Sequence, residues 1–291
     1  MKIYIPSKSR YNYFNEATTT IKELNKGRTQ DKYSVTLVVP GNEYEQYAKM
    51  LLQLNYIGFK LFGLKDNIQG ISNVRQFIIE NSSDNKVLML DDDLKFSLRP
   101  KLDDPQLLTE AITGEQILKA IEWCDKTLDD YAHCSISDRQ QNWHMTKYMI
   151  KENSWTIESQ RPMRVYGFRK DIVLGEQLNF NAGLSINVMD DFHITLCLME
   201  LGYPNIITAY CAQGQKSSDA RGGASTYRNL ELQKECALNL KKLHPETVKV
   251  VEKTTHSAWG GTKENPITRT DVYIFWQKAL GIKSKESKLT N

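Results

Sequence analysis

The chain has 291 residues, 40% of them hydrophobic and 25% charged, the composition of an ordinary globular protein long enough to bury a core without disulfide staples. A formal net charge of +3 excludes a global polycation and leaves room only for local basic patches. No apolar run approaches the roughly 20 residues that span a bilayer, which argues against a membrane-embedded enzyme.

In chain order, residues 2–5 (KIYI) form a short predicted strand that stops at Pro6. A helix is expected over 13–24. Residues 35–39 (VTLVV) read as a buried strand, broken by Gly41, and 43–54 as a helix. A further strand is expected over 59–62. The next helix covers 71–80, with Val74, Phe77 and Ile78 at helical spacing. Residues 87–90 (VLML), bounded by polar residues, form another buried strand. This order of alternating strands and helices predicts a mostly parallel, doubly wound α/β sheet.

Farther along, 114–129 reads as a helix, and 138–180 is polar, aromatic and basic with weak periodicity. Leu184, Ile186 and Val188 alternate with polar or small residues, the pattern of a strand. A helix over 190–201 is closed by Gly202 and followed by Pro204. Then come a strand over 206–212, a loop rich in Gly, Ser and Lys over 213–225, and an amphipathic helix over 226–243 stopped by Pro245. A short strand over 248–251, a last helix over 271–280 and a frayed polar tail over 283–291 complete the chain. No internal repeat is present.

The five cysteines, Cys124, Cys134, Cys197, Cys211 and Cys236, are odd in number and include no CxxC pair. That argues against a disulfide framework or a cysteine zinc site and for a reducing cytoplasm. The opening MKIYIPSKSR reads as a first core strand, not a signal peptide.

The strongest local signal is KVLMLDDDLKF, a buried strand running directly into Asp91, Asp92 and Asp93. Ligands of open α/β sheets bind beyond the carboxyl ends of the strands. Three adjacent carboxylates repel one another, and a cation is the simple compensator. On an extended segment Asp91 and Asp93 point the same way, so both can serve one Mg²⁺ or Mn²⁺ while Asp92 aims elsewhere. Such an ion would stabilise a leaving nucleoside diphosphate. The bland alternative is a solvated acidic turn or helix cap.

The unit from Gly70 to Leu94, with GISNVR opening a helix that leads into the strand and the acidic triplet, resembles the GT-A glycosyltransferases in order and spacing. The resemblance implies a GT-A, Rossmann-like α/β fold with a smaller acceptor-side subregion. It also implies a UDP-sugar donor with Mn²⁺ or Mg²⁺, and places Arg75 and Asn73 near the diphosphate. IPSKSR after the first strand and the carboxylate after the second make Pro6, Ser7, Arg10 and Glu43 nucleotide candidates, beside Asp91 and Asp92. Metal candidates are Asp91 and Asp93, to which the resemblance adds the late His256 in THSAWGG. VMDDFHITLCLMELGYPN resembles the acceptor-site helix in which one carboxylate takes the acceptor's proton. Asp191 is preferred there over Asp190, against the alternative of simple helix capping. His193 on that helix reads as a packed histidine.

IPSKSR, LDDDL, the MDDF helix and RGGASTYR together resemble a narrower group over residues 1–243, the bacteriophage DNA-modifying glycosyltransferases related to the TET-associated and base-J transferases. That group implies hydroxymethylated pyrimidine in DNA as acceptor, inside a phage-infected bacterium. Arg161, Arg164, Arg169 and Lys170, interleaved with Tyr166 and Phe168 and preceded by Trp143, Tyr148 and Trp155, suit backbone clamping and base stacking. Lys216, Arg221, Arg228 and Gly222-Gly223 suit an anion, either donor diphosphate or acceptor phosphate. The alternatives are a glycan or lipid-linked acceptor, a metal-dependent nuclease or phosphohydrolase using Asp190 and Asp191 as a second acidic cluster, and a non-catalytic DNA-binding module. The expected organisation is a glycosyltransferase domain over 1–245, split into a nucleotide-sugar half (1–94) and an acceptor half (95–245). An extension over 246–282 packs on it. Oligomeric state is not expressed in the sequence.

Overall fold

The computed structural model describes residues 1–12, 19–99, 101, 112–139, 154–215, 227–256 and 261–282. Residues 13–18 of the first expected helix, Trp143, Tyr148, Lys216, Arg221, Gly222-Gly223 and the tail lie outside these.

The first half follows the expected alternation: β1 (Lys2–Pro6), α1 (Thr20–Lys26), α2 (Thr29–Lys32), β2 (Ser34–Pro40), α3 (Tyr44–Gln53), β3 (Lys60–Leu64), α4 (Ile71–Asn81) and β4 (Lys86–Leu90). The strands pair in parallel in the order β3-β2-β1-β4. Side chains alternate between faces. Ile3, Ile5, Leu88 and Leu90 pack on one side with Ile21, Leu24, Ile117 and Ile121. Val87 and Met89 pack on the other with Ile78 and Ile79. Each such side chain contributes about 1.5–3 kcal/mol on burial.

The second half contains β5 (Lys95–Leu98), α5 (Gly114–Thr127), β6 (His133–Asp138), β7 (Thr156–Glu158), β8 (Val165–Arg169), α6 (Lys170–Gly175), α7 (Asp190–Glu200) and β9 (Asn205–Gly214). These strands extend the sheet to nine among the described residues, continuing β4-β8-β6-β9-β5 with β7 also on β9. The added part is mixed, because β8 runs antiparallel to both β4 and β6 while β6 and β9 are parallel. The carboxyl ends of β1, β2, β4, β6 and β9 and the amino end of β8 therefore share one sheet edge.

After α8 (Leu230–Leu243) come an antiparallel pair, β10 (Val248–Thr255) and β11 (Ile267–Ile274), and the short α9 (Trp276–Ala279). Val248, Val272, Ile274 and Ala279 close over Met189, Leu196 and Met199 of the α7 region and Cys236, Ala237 and Leu240 of α8.

Two local expectations are corrected. Residues 184–188 are turns, not a strand. Gly183 is held at φ +69°, its N–H and that of Leu184 bond back to Asn181, and Met189 N–H bonds to Ile186 O. The expected helix over 271–280 is strand β11 through Ile274 before the turn of α9. Buried Val272 and Ile274 flank exposed Tyr273, and the strand pairs with β10 along its length.

Candidate active site

The acidic triplet leaves β4 at the shared sheet edge. Its backbone is pinned by the start of α1: Thr20 Oγ1 donates to Asp91 O, and Thr20 N–H donates to Asp92 O at 3.1 Å. Asp91 turns to Arg75, whereas Asp92 and Asp93 share Arg10. Asp91 keeps about a third of its side chain exposed and accepts from Arg75 Nη2 at 3.2 Å. Asp92 turns inward, accepting from Ser7 Oγ, and lies 3.3 Å from Arg10 Nη1. Asp93 accepts from the same Arg10 nitrogen at 2.7 Å. Burial pushes the Asp92 carboxyl up to about 7, Arg10 only partly offsetting it.

The nucleotide candidates gather on the loop after β1. Pro6 ends β1 beside Val38 of β2. Ser7 Oγ lies 2.7 Å from Tyr47 Oη, which also accepts from Arg10 N–H at 3.2 Å. Glu43 accepts from Ser9 N–H at 2.7 Å and Ser9 Oγ at 3.0 Å. It thereby holds Ser9 at φ 58°, the left-handed region.

Arg75 joins this edge to α7. Its buried guanidinium pairs with Asp190 at 2.7 Å and Asp91 at 3.2 Å, and lies 4.5 Å from the centre of the Tyr166 ring. The sequence delivers it there through Gly70 at φ +82°, where a Cβ would crowd Asn187 Oδ1 at 3.1 Å, and Ser72 Oγ donating to Asn187 Oδ1 at 2.5 Å. Burial pushes the Asp190 carboxyl up to about 6, with Arg75 opposing. Asp191 is half-buried, and the Tyr166 hydroxyl donates to its Oδ2 at 3.5 Å. Burial, followed by Asp191, raises the Tyr166 phenol well above its ordinary value, so it stays a donor. Asn73 faces away from the triplet, bonding Gln69 O at 2.7 Å and accepting from Asn181 Nδ2 at 2.6 Å.

The expected acceptor residues are scattered. Residues 165–168 form the buried middle of β8, with Tyr166 against Arg75 and Phe168 stacked on His133, so the interleaved segment makes no continuous basic-aromatic surface. Arg164 is buried against Asp138 at 2.8 Å, and its carbonyl accepts from Asp91 N–H. Arg169 lies at the opposite end of β8, paired with Asp171 at 2.6 Å, and Lys170 bonds Glu80 O and Ser82 O. Arg161 lies over Phe192, 4.2 Å from the ring centre. Arg228 lies in the field of Asp191 and Arg269, its guanidinium lowered by burial, and donates to Gln233 Oε1 at 3.4 Å. His256 is exposed, and among the described residues it joins Asp91 and Asp93 in no three-ligand group.

Sequence reasoning did not identify Thr20, Tyr47 or Asp138, and treated Tyr166 as a stacking residue, not as the wall behind Arg75. Thr20 and Tyr47 carry no motif. Their contacts span 71 and 40 residues of sequence.

The family model described as TET-Associated Glycosyltransferase matches residues 1–223. No curated protein matches the chain in sequence. Among solved structures, S. aureus TarS 1–349 in complex with UDP-GlcNAc is similar at 12% identity and a TM-score of 0.49, over 83% of this chain and 67% of that one. The mannosyltransferase PcManGT from Pyrobaculum calidifontis, in complex with GDP-Man and Mn²⁺, is similar at 13% identity and a TM-score of 0.48, over 84% and 64%. The chain spans about two thirds of the TarS chain and less than two thirds of the mannosyltransferase. Among the described residues no helix is long and apolar enough to cross a membrane.

Proposed function

The chain belongs to the TET-associated glycosyltransferase family, and on that premise we propose that it moves a sugar from a UDP-sugar to a hydroxyl acceptor, a hydroxymethylated pyrimidine in DNA. The observation that carries this reading is the chain of contacts Asp91–Arg75–Asp190, which sets the acidic turn and the start of α7 on either side of one guanidinium.

The acidic turn is the donor side of the proposal. Its donors are all carboxylate oxygens, the set that suits Mg²⁺ or Mn²⁺. Asp91 is part-exposed at the sheet edge, Asp92 is taken up by Ser7 and Arg10, and Asp93 shares that Arg10 nitrogen, so a cation held through Asp91 and Asp93 would take the place of Arg10 on Asp93. Bound there, the cation would supply Lewis-acid stabilisation of the departing diphosphate. Ser7, Arg10 and Glu43 shape the loop on which the nucleotide would rest.

Asp191 is the proposed base. Asp190 is committed to Arg75, whereas Asp191 is half-buried and within reach of a neutral phenol. It would take the proton of the acceptor hydroxyl as that oxygen attacks the anomeric carbon. Arg75 positions Asp190 and Asp91, and Arg228 lies in the field of Asp191 on the acceptor side.

A second reading has one observation in its favour. With Arg164, Tyr166 and Phe168 inside the fold, the expected DNA-facing segment shrinks to Arg161, which suits a glycan acceptor as well as DNA phosphates. The test is incubation with hydroxymethylated DNA, Mn²⁺ and a panel of UDP-sugars, followed by digestion and mass measurement of the nucleosides. A sugar's mass gained on a base is expected. UDP release without that gain would transfer the proposal to a glycan acceptor. Plasmid cleavage lost in Asp93→Ala would replace it with a phosphohydrolase.

A further inference from the structure

We propose that His193, Cys197 and His244 form a zinc site, separate from the acidic turn, that clamps α7 to the end of α8. His193 and Cys197 stand four residues apart on α7, hence on one face of the helix. His244 caps the carboxyl end of α8. The three ligand atoms lie within 4.8 Å of one another. His193 Nδ1 is 2.8 Å from His244 Nε2, and Cys197 Sγ is 3.6 Å from His193 Nδ1 and 3.7 Å from His193 Nε2.

These separations are close to what zinc imposes. Bonds of about 2.0–2.1 Å to nitrogen and about 2.3 Å to sulfur, at tetrahedral angles, separate two nitrogens by about 3.3 Å and nitrogen from sulfur by about 3.6 Å. The spacing of Cys197 Sγ from His193 is already there, and that from His244 is within 4.8 Å. The two imidazoles, now close enough to share a proton, need to part by about half an ångström for the ion to take that proton's place.

The surroundings are those of a built site. His244 Nδ1 bonds Glu200 Oε1 at 2.8 Å, and Thr247 Oγ1 donates to the same oxygen at 3.1 Å. A carboxylate behind a ligating histidine fixes its tautomer, here leaving Nε2 to face Cys197 and His193. His193, His244 and Glu200 are all buried beside the apolar contact of α7, α8 and the β10–β11 pair. Cys197 is only half-buried, which gives the ion an entry path and room for water as a fourth ligand. Two imidazoles and a thiolate suit zinc, whereas the oxygen-only acidic turn suits harder ions. The cysteine spacing alone argues against a cysteine zinc site, but the fold supplies two histidines in place of a CxxC pair.

Cobalt titration of the chelator-stripped full chain tests this. One equivalent of Co²⁺ is expected to give a sulfur-to-cobalt charge-transfer band together with the visible bands of tetrahedral cobalt, all bleached by Zn²⁺. Cys197→Ser removes the charge-transfer band, and Glu200→Gln weakens binding by about 10–100-fold. Cobalt on aspartates gives no sulfur band, so failure of the donor-site reading leaves this result intact, and the reverse holds. Zinc also raises the melting temperature of the unsubstituted chain and not of Cys197→Ser. Absence of the sulfur band at one equivalent, or its survival in Cys197→Ser, overturns the proposal.

Discussion

The two ends of the β4–β8 ladder are built from the same ingredients and use them in opposite ways. At one end Lys86 lies across from Arg169, and both reach out to acidic neighbours, Asp125, Asp129 and Asp171, at the protein surface. At the other end, beyond Leu90 and Val165, Arg75 and Arg164 turn inward to Asp91, Asp190 and Asp138. Water solvates the first set and screens it. In the second, Arg75, Arg164, Asp190 and Asp138 have lost their water and each depends on its partner, while Asp91 alone stays part-exposed. Charge pairing at the first end is surface decoration. At the second it holds carboxylates in fixed places beside an open sheet edge.

The sharpest way to break that contrast is Arg75→Ala. Stranding buried Asp190 is expected to cost about 3–5 kcal/mol, read by chemical denaturation. A cost near zero would erase the distinction between the two ends. Asp191→Asn comes next: transfer should fall by about 10²–10⁴ while the melting temperature holds, since Asp191 is outside the Arg75 pair. Asp190→Asn, by contrast, should lower both rate and melting temperature. A smaller effect, of opposite sign, is expected at Asp92. Its carboxyl is pushed up to about 7 from an ordinary value of 3.8. Between those values the folded chain binds a proton that the unfolded chain releases, so this group makes the fold more stable as pH falls through that window and less stable above it. Asp92→Asn should therefore raise the melting temperature at pH 8, with the gain fading toward pH 4, and a loss at pH 8 would contradict the assignment. The smallest effect belongs to the solvated end, where Arg169→Ala should change stability by no more than about 1 kcal/mol in the same denaturation assay.

The same contrast explains what the sequence discloses. The parallel half is legible because VTLVV and KVLML are unbroken apolar runs punctuated by Gly41 and the acidic triplet. Strand β6, HCSISD, is equally buried and carries no such run. Its polar side chains are satisfied by Gly167 O, Val165 O and Cys211 O, partners 30 or more residues away that no local window contains. Strand β8 misleads for a related reason. Arg164 and Tyr166 read as surface residues because their partners, Asp138 and Arg75, are visible only after folding. The Arg75–Asp190 pair spans 115 residues: both positions stand out in the sequence as candidates, but nothing in it says that they touch. The turns over 184–188 mimic a strand in pattern, and what distinguishes them is the short-range bonding of Gly183 and Leu184 to Asn181 and of Met189 to Ile186.

Thr20 sets the mechanical character of the acidic turn. With its hydroxyl on Asp91 O and accepting from Leu94 N–H, and its own N–H on Asp92 O, one residue of α1 fastens the turn at both ends. The backbone conformation is thus fixed by neutral hydrogen bonds that remain whatever the carboxylates hold. A ligand meeting this turn finds its backbone already ordered, with little ordering entropy left to lose in the turn itself. Selectivity at the turn itself should come from the fixed placing of its carbonyls and carboxylates, a bed shaped before any ligand arrives.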